Sequence, residues 1–252
     1  MPLQVKDLCV GYRGHTVLSG LSLSAGPGVT GILGRNGCGK TTLFRALAGM
    51  LTPESGEILW GGSALPGSAR KRAKLLAFMQ QGTSAAAGIR AIDYIEMGFY
   101  AAKGPFFSPG AKEHERVKSL AASYGCGELL YRPMEAMSAG ERQMTALLAA
   151  AVQDTPLLLL DEPTSALDYN HTHTFLSALR TLAKTDGKTV LAVLHDPSLA
   201  LRYCGRIAVL DGGGVYAVFE PEKETPEHIR ELLLPVYPGI RVGRAENEIL
   251  CF

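Results

Sequence analysis

Apolar and polar positions change period several times along the chain, and each change marks an element. From Leu3 to Leu23 short apolar runs alternate with glycines and polar residues, as the strands of a hairpin do. Val29 to Leu33 (VTGIL) is a compact apolar run of buried-strand type, followed by a glycine-rich loop and the helical pattern KTTLFRALAG. A second run, Leu157 to Leu160, ends in Asp161, and a third, Thr189 to Leu194, ends in His195. Helical patterns lie between the runs, most clearly over Phe175 to Lys184. Strands alternating with helices predict a mainly parallel sheet covered on both faces. Reactive side chains should then collect beyond the carboxyl ends of the strands.

Between residues 82 and 153 the texture shifts to Ala, Glu, Lys and Arg, with a Pro/Gly break from Gly104 to Gly110. This stretch predicts a mostly helical insertion. After Gly212 come a short strand (VYAVF) and a small helical tail. The expected organisation is one domain over residues 1–252. Its α/β core takes 1–82 and 154–252, and its helical subdomain takes 83–153.

Composition narrows the function more than the fold. The chain has 252 residues, enough to bury a substantial core. Its 25 Lys and Arg against 24 Asp and Glu leave a net charge of +1, without the basic footprint of a nucleic-acid binder. The five cysteines are scattered (Cys9, Cys38, Cys126, Cys204, Cys251), without CxxC or metal-ligand spacing, so reduced thiols in a cytosolic protein are expected. The first residues, MPLQVKDLCV, do not read as a signal peptide. A membrane span needs about 20 apolar residues. The most apolar stretch, Thr145 to Leu160, is broken by Gln153, Asp154 and Pro156.

Two motifs carry chemistry. Gly34 to Thr41 reads GRNGCGKT, a full match to G-x-x-x-x-G-K-[ST] between a strand and a helix. Glycines at these positions let backbone N–H groups cradle phosphate oxygens, assisted by the helix dipole. Expected nucleotide contacts are Gly34, Asn36, Gly37, Cys38, Gly39, Lys40, Thr41 and Thr42. Lys40 would reach the β- and γ-phosphates, and Thr41 would ligate Mg²⁺. Cys38 reads most simply as a small residue at a variable position, although its oxidation would block nucleotide. The second motif, LLLLDE at Leu157 to Glu162, sets two carboxylates at the end of a buried strand. Asp161 would hold Mg²⁺ through a water, and Glu162 would act as general base towards the attacking water. Together they describe a P-loop NTPase.

Met137 to Gln143 (MSAGERQ) resembles the signature of ABC proteins, usually LSGGQ or LSGGE followed by a basic residue. Over nearly its whole length the chain resembles an ABC transporter nucleotide-binding domain. The resemblance implies an α/β, P-loop NTPase (RecA-like) core with an antiparallel β subdomain and an inserted helical subdomain, using ATP and Mg²⁺. It assigns Tyr12 to adenine stacking and Gln81, with Gln80 as the competing choice, to contact with Mg²⁺, the attacking water and the membrane partner. Asp168, in SALD (Ser165 to Asp168), falls in the loop that crosses to an opposite subunit. His195 matches the switch histidine that touches the γ-phosphate. Ser138 and the backbone of Gly140 would meet the γ-phosphate held by the other member of a head-to-tail dimer. Ala139 replaces the first glycine of the signature pair.

GRNGCGKTTL, VLHDPSLALRYCGRIAVLDGG and TPEHIRELLLPVY resemble the metal-chelate importer branch, whose members move iron-siderophores, haem or cobalamin. Phe219, in place of Gly, and MGFYAAKGP depart from that pattern. The branch implies integral membrane permease subunits, an extracellular or periplasmic binding protein, and a peripheral place on the cytoplasmic face of the membrane. An exporter subunit, or a soluble ATPase acting on nucleic acid or ribosomes, is the alternative. No long coiled-coil insertion or tandem second domain of the soluble class is present.

Overall fold

The computed structural model describes residues 2–80, 88–104, 106–245 and 248–251. The N-terminal apolar alternation forms β1 (Leu3–Tyr12) and β2 (His15–Ala25), an antiparallel hairpin closed at Arg13 and Gly14, with several register shifts along its length. β3 (Gly28–Gly34) then runs into the glycine-rich loop and α1 (Lys40–Ala48). β4 (Ser55–Trp60) and β5 (Ser63–Ala64) return to the hairpin, completing an antiparallel sheet in the order β2–β1–β4–β5. A short helix, α2 (Ala69–Arg72), leads into β6 (Leu76–Met79).

Helices α3 (Ala91–Glu96), α4 (Gly98–Lys103), α5 (Ala111–Ser123) and α6 (Ala139–Val152) follow before the chain re-enters the sheet as β7 (Leu157–Leu160). The helical texture expected before the acidic strand is thus helical in the fold. Next come α7 (Tyr169–Thr185), β8 (Thr189–Val193), α8 (Pro197–Tyr203), β9 (Arg206–Asp211) and β10 (Gly214–Phe219). The tail contains the expected helix, α9 (Pro226–Leu233), and then a hairpin that the apolar pattern did not suggest, β11 (Val242–Ala245) with β12 (Glu248–Cys251).

The central sheet has the order β10–β9–β3–β8–β7–β6, parallel throughout except for the edge strand β10. Its strands are near-continuous apolar runs because both faces are covered, and alternate residues enter two different cores. Leu157, Leu159, Leu191, Val193 and Ile32 join the core shared with β1, β2 and α1. Leu158, Leu160, Val190, Ala192 and Leu33 face the core shared with α6, α7 and α8. A one-residue slip of any strand would exchange these faces, so the register is strongly fixed.

Phe44 anchors α1 to the sheet. It is fully buried and meets the Phe78 ring edge-on at 6.3 Å between centroids. Truncating a buried Phe typically costs about 3–5 kcal/mol. We expect Phe44→Ala to lower unfolding free energy by about that amount in urea titration, with Phe44→Leu costing much less. A loss below about 1 kcal/mol for the Ala variant would show that α1 does not depend on this contact.

Candidate functional site: a phosphate loop beside an acidic strand end

Register brings the chemistry together. Ile32 pairs with Val193, Ala192 with Leu160, and Leu160 with Met79. The carboxyl ends of β3, β8, β7 and β6 therefore stand side by side, delivering the glycine-rich loop, His195, Asp161 with Glu162, and Gln80 to one edge.

The loop wraps its own lysine. Lys40 is buried, and its Nζ donates to the carbonyls of Gly34 at 2.7 Å and Arg35 at 2.9 Å. Gly39 precedes α1 in the left-handed region at φ 104°, and a Cβ there would lie 2.3 Å from Leu18 Cδ2, so glycine is required. Helices α6, α7, α8 and α9 each take a side-chain cap, from Ser138, Asp168, Asp196 and Thr225. Like the short α2 and α4, α1 has no side-chain cap and no acidic residue in its first turn. Its N–H groups and positive dipole end suit an anion.

Asp161 follows β7 at 4% exposure, with its backbone N–H bonded to Met79 O. Its side chain takes a hydrogen bond from Thr41, but Oδ1 has no partner among the described residues. Burial raises the carboxyl pKa; the Thr41 bond opposes that shift and the Glu162 charge adds to it. An orphaned buried oxygen beside a hydroxyl is an oxygen-only donor set, which fits Mg²⁺. Among the described residues no group of three or more His, Cys, Asp or Glu forms a metal cage. A hard cation here would share its ligands with phosphate and water, as Mg²⁺ commonly does.

Glu162 breaks the strand with φ 50°, a left-handed conformation that costs a non-glycine residue about 1–2 kcal/mol. Its Oε1 lies 2.7 Å from His195 Nε2. The strained turn thus holds a carboxylate against an imidazole beside the phosphate loop, the arrangement of a base with an orienting partner. The carbonyl of His195 in turn accepts a hydrogen bond from Tyr237.

Lys40, Thr41, Asp161, Glu162 and His195 are therefore brought together. Tyr12 lies at the end of β1 with its ring partly exposed, and its hydroxyl accepts from Arg45 of α1 at 3.1 Å. Gln81 lies outside the described residues. Its competitor Gln80 is exposed and donates to Met50 Sδ at 3.8 Å.

Ser138 and Gly140 form a second group at the start of α6. Ser138 Oγ accepts from the Glu141 N–H at 3.2 Å, while Glu141 Oε2 accepts from the Ser138 N–H at 2.7 Å, a reciprocal capping box. Arg132 pairs with the other oxygen of Glu141 at 2.5 Å. A Cβ on Gly140 would come within 2.6 Å of the His171 ring, and that ring is held by Asp168 at 2.9 Å. The second group meets the acidic strand end through Gln143, which donates to Pro163 O at 2.6 Å. Among the described residues, no hydrogen bond or ion pair joins Ser138, Gly140 or Asp168 to Gly34–Thr41.

His171 and Arg132 were not singled out in the sequence, and Tyr237 entered only as the last residue of TPEHIRELLLPVY, without a role in the site. The helix-start position of His171 was its one available signal.

The orphaned carboxylate yields a prediction. A carboxyl whose pKa is raised on folding contributes full stability below its ordinary value of 3.8 and loses it as pH rises through the raised value. Leaving such a group buried and unpaired costs about 1–3 kcal/mol. Asp161→Asn should therefore raise the melting temperature of the nucleotide-free protein near neutral pH by about 2–12 °C, while ATP hydrolysis is lost. A lower melting temperature would show that the carboxylate has a stabilising partner.

Comparison with known proteins gives the family. The family profile described as ABC transporter matches residues 18–165. The petrobactin import ATP-binding protein FpuD of Bacillus anthracis is 34% identical over 229 residues, covering 90% of this chain and 84% of that protein. The hemin import ATP-binding protein HmuV of Pseudomonas fluorescens is 39% identical over 249 residues, covering 94% and 96%. The structure of cbiO1 from Clostridium perfringens, part of the ABC transporter complex cbiONQ, superposes with a TM-score of 0.78 at 26% identity, covering 92% and 94%. The chain belongs to the ABC transporter family, as an ATP-binding domain of it.

Proposed function

We propose that this chain hydrolyses MgATP as one member of a head-to-tail pair and so powers import through separate membrane permease subunits. The observation that carries the reading is the meeting of a buried, loop-wrapped Lys40 with the orphaned Asp161 and the Glu162–His195 pair at one sheet edge. In this reading the loop N–H groups and Lys40 hold the β- and γ-phosphates, and Tyr12 offers its ring to adenine. Thr41 and Asp161, with Gln81, would hold Mg²⁺, which when bound neutralises charge on the phosphates. Glu162 takes a proton from water as the water oxygen attacks the γ-phosphorus. The bond to the bridging oxygen breaks and ADP leaves with the electron pair. His195 orients Glu162 and contacts the transferred phosphate.

The pairing rests on the separation of Ser138, Gly140 and Asp168 from their own phosphate loop. The capping box takes up the N–H groups of Ser138 and Glu141 but not those of Ala139 and Gly140, which a helix start leaves without an intrahelical partner and which would suit a phosphate presented by a second copy. No helix among the described residues is long and apolar enough to cross a membrane, so a path across the bilayer belongs to partner chains in this reading. The helical segment, residues 83–153, is the proposed docking region for the permease, placing the chain on the cytoplasmic face. The petrobactin and hemin names of the relatives support an iron-siderophore or haem cargo, which an extracellular or periplasmic binding protein would capture in this reading.

Glu162→Gln should lower ATP turnover by about 10²–10⁴-fold and accumulate an ATP-dependent dimer on size-exclusion chromatography. Turnover at the wild-type rate would remove Glu162 from the role of base. Affinity purification from membranes should recover an integral membrane protein. Recovery of nucleic acid in its place would overturn the transport reading.

A further inference from the structure

The chain beyond α9 reaches back into the site. α9 is seated by Ile229 and Leu233, both fully buried in the core shared with α6, α7 and α8. Its end is then wound tightly: the N–H groups of Val236 and Tyr237 both bond to Leu233 O, at 3.1 and 2.8 Å, and Ile240 N–H bonds to Tyr237 O at 3.1 Å. Residues 235–237 are therefore bonded directly onto the end of a helix seated on the sheet.

Two polar links leave this fixed segment, and both end in the catalytic edge. The Arg35 guanidinium donates to Pro235 O at 2.5 Å, while the Arg35 carbonyl is one of the two that hold Lys40. The Tyr237 hydroxyl donates to His195 O at 3.0 Å. On either side of that carbonyl the main chain is pinned by other bonds. Leu194 N–H bonds to Ile32 O at 3.2 Å, and Asp196 caps α8 through Ser198 N–H at 2.7 Å. His195 itself lies between these pins, and Tyr237 is what holds its own carbonyl.

We propose that Tyr237 is a positioning residue for His195, and that residues 235–237 form a latch tying the C-terminal helix to the phosphate loop and the histidine together. The proposal rests on the reading of His195 as the residue that orients Glu162 and meets the γ-phosphate. Chemistry favours a tyrosine here. The ring is half-buried, and burial pushes the phenol pKa up to about 12, so the hydroxyl keeps its proton and remains a donor across the working pH range. The Gly34 backbone acts on the same oxygen, pulling the pKa back down, so the hydroxyl lies against both strand ends that the latch joins. Phenylalanine would fill the same space without the bond.

The test is a steady-state comparison of wild type, Tyr237→Phe and His195→Ala, with melting temperatures measured alongside. Losing one neutral hydrogen bond that matters to the transition state should lower kcat of the Phe variant by about three- to tenfold. KM for ATP should stay at its wild-type value because loop and ring packing are retained, and the melting temperature should fall by only about 1–6 °C, the share of one hydrogen bond. An unchanged kcat in Tyr237→Phe, with or without a lower melting temperature, overturns the latch and leaves the tyrosine a packing residue. A parallel rise in KM that accounts for the whole loss also overturns it, since that would mark a binding defect. The His195→Ala control separates the two levels of the argument. If it turns over at the wild-type rate, the assignment of His195 has failed; if it is inactive while Tyr237→Phe is normal, only the latch has failed.

Discussion

The pairing of β3, β7 and β8 as parallel neighbours carries the rest of the site, because its groups meet only across those strands. The phosphate loop, Asp161 with Glu162, and His195 are brought from three distant parts of the chain to adjacent strand ends. Each of the three strands is apolar on both faces, and its alternate residues are divided between two cores. That division fixes register, and register fixes the distances at the edge. A slipped β7 would place Glu162 where Asp161 now stands, and the Glu162–His195 contact of 2.7 Å would be lost along with the Thr41 bond.

The strand ends hold two carboxylates in unequal circumstances. Asp161 is buried with an oxygen unsatisfied, whereas Glu162 is turned by a left-handed backbone towards an imidazole. Adjacent acids in different environments can take different roles, one waiting for a cation and the other for a proton. Both features oppose stability in the isolated chain, one through desolvation and the other through backbone strain. The fully packed sheet beneath them supplies the compensation.

Much of this was legible in the sequence for a physical reason. Buried parallel strands are written as apolar runs and phosphate loops need glycines at fixed spacing, so β3, β7, β8 and the loop could be placed directly, whereas Ser138 was placed by the resemblance to the ABC signature. Contacts between residues far apart in the chain leave no such trace. His171 against Gly140, Arg132 on Glu141 and Tyr237 on the His195 carbonyl each depend on how helices and tail come to rest on the sheet. The β11–β12 hairpin was missed because its strands are short and only partly buried, so the alternation that marks a strand is weak there. Two adjacent glutamines, Gln80 and Gln81, could not be told apart by pattern, since both follow the same apolar run.

The ring of His171 has a mechanical consequence. It rests on the backbone of Gly140 at a spacing that no side chain at that position would permit, and Asp168 grips it from the other side. The starts of α6 and α7 are thus geared together, tooth against tooth, with Asp168 as the pawl. Any side chain at position 140 would have to displace the His171 ring, and with it the contact to Asp168 that caps α7.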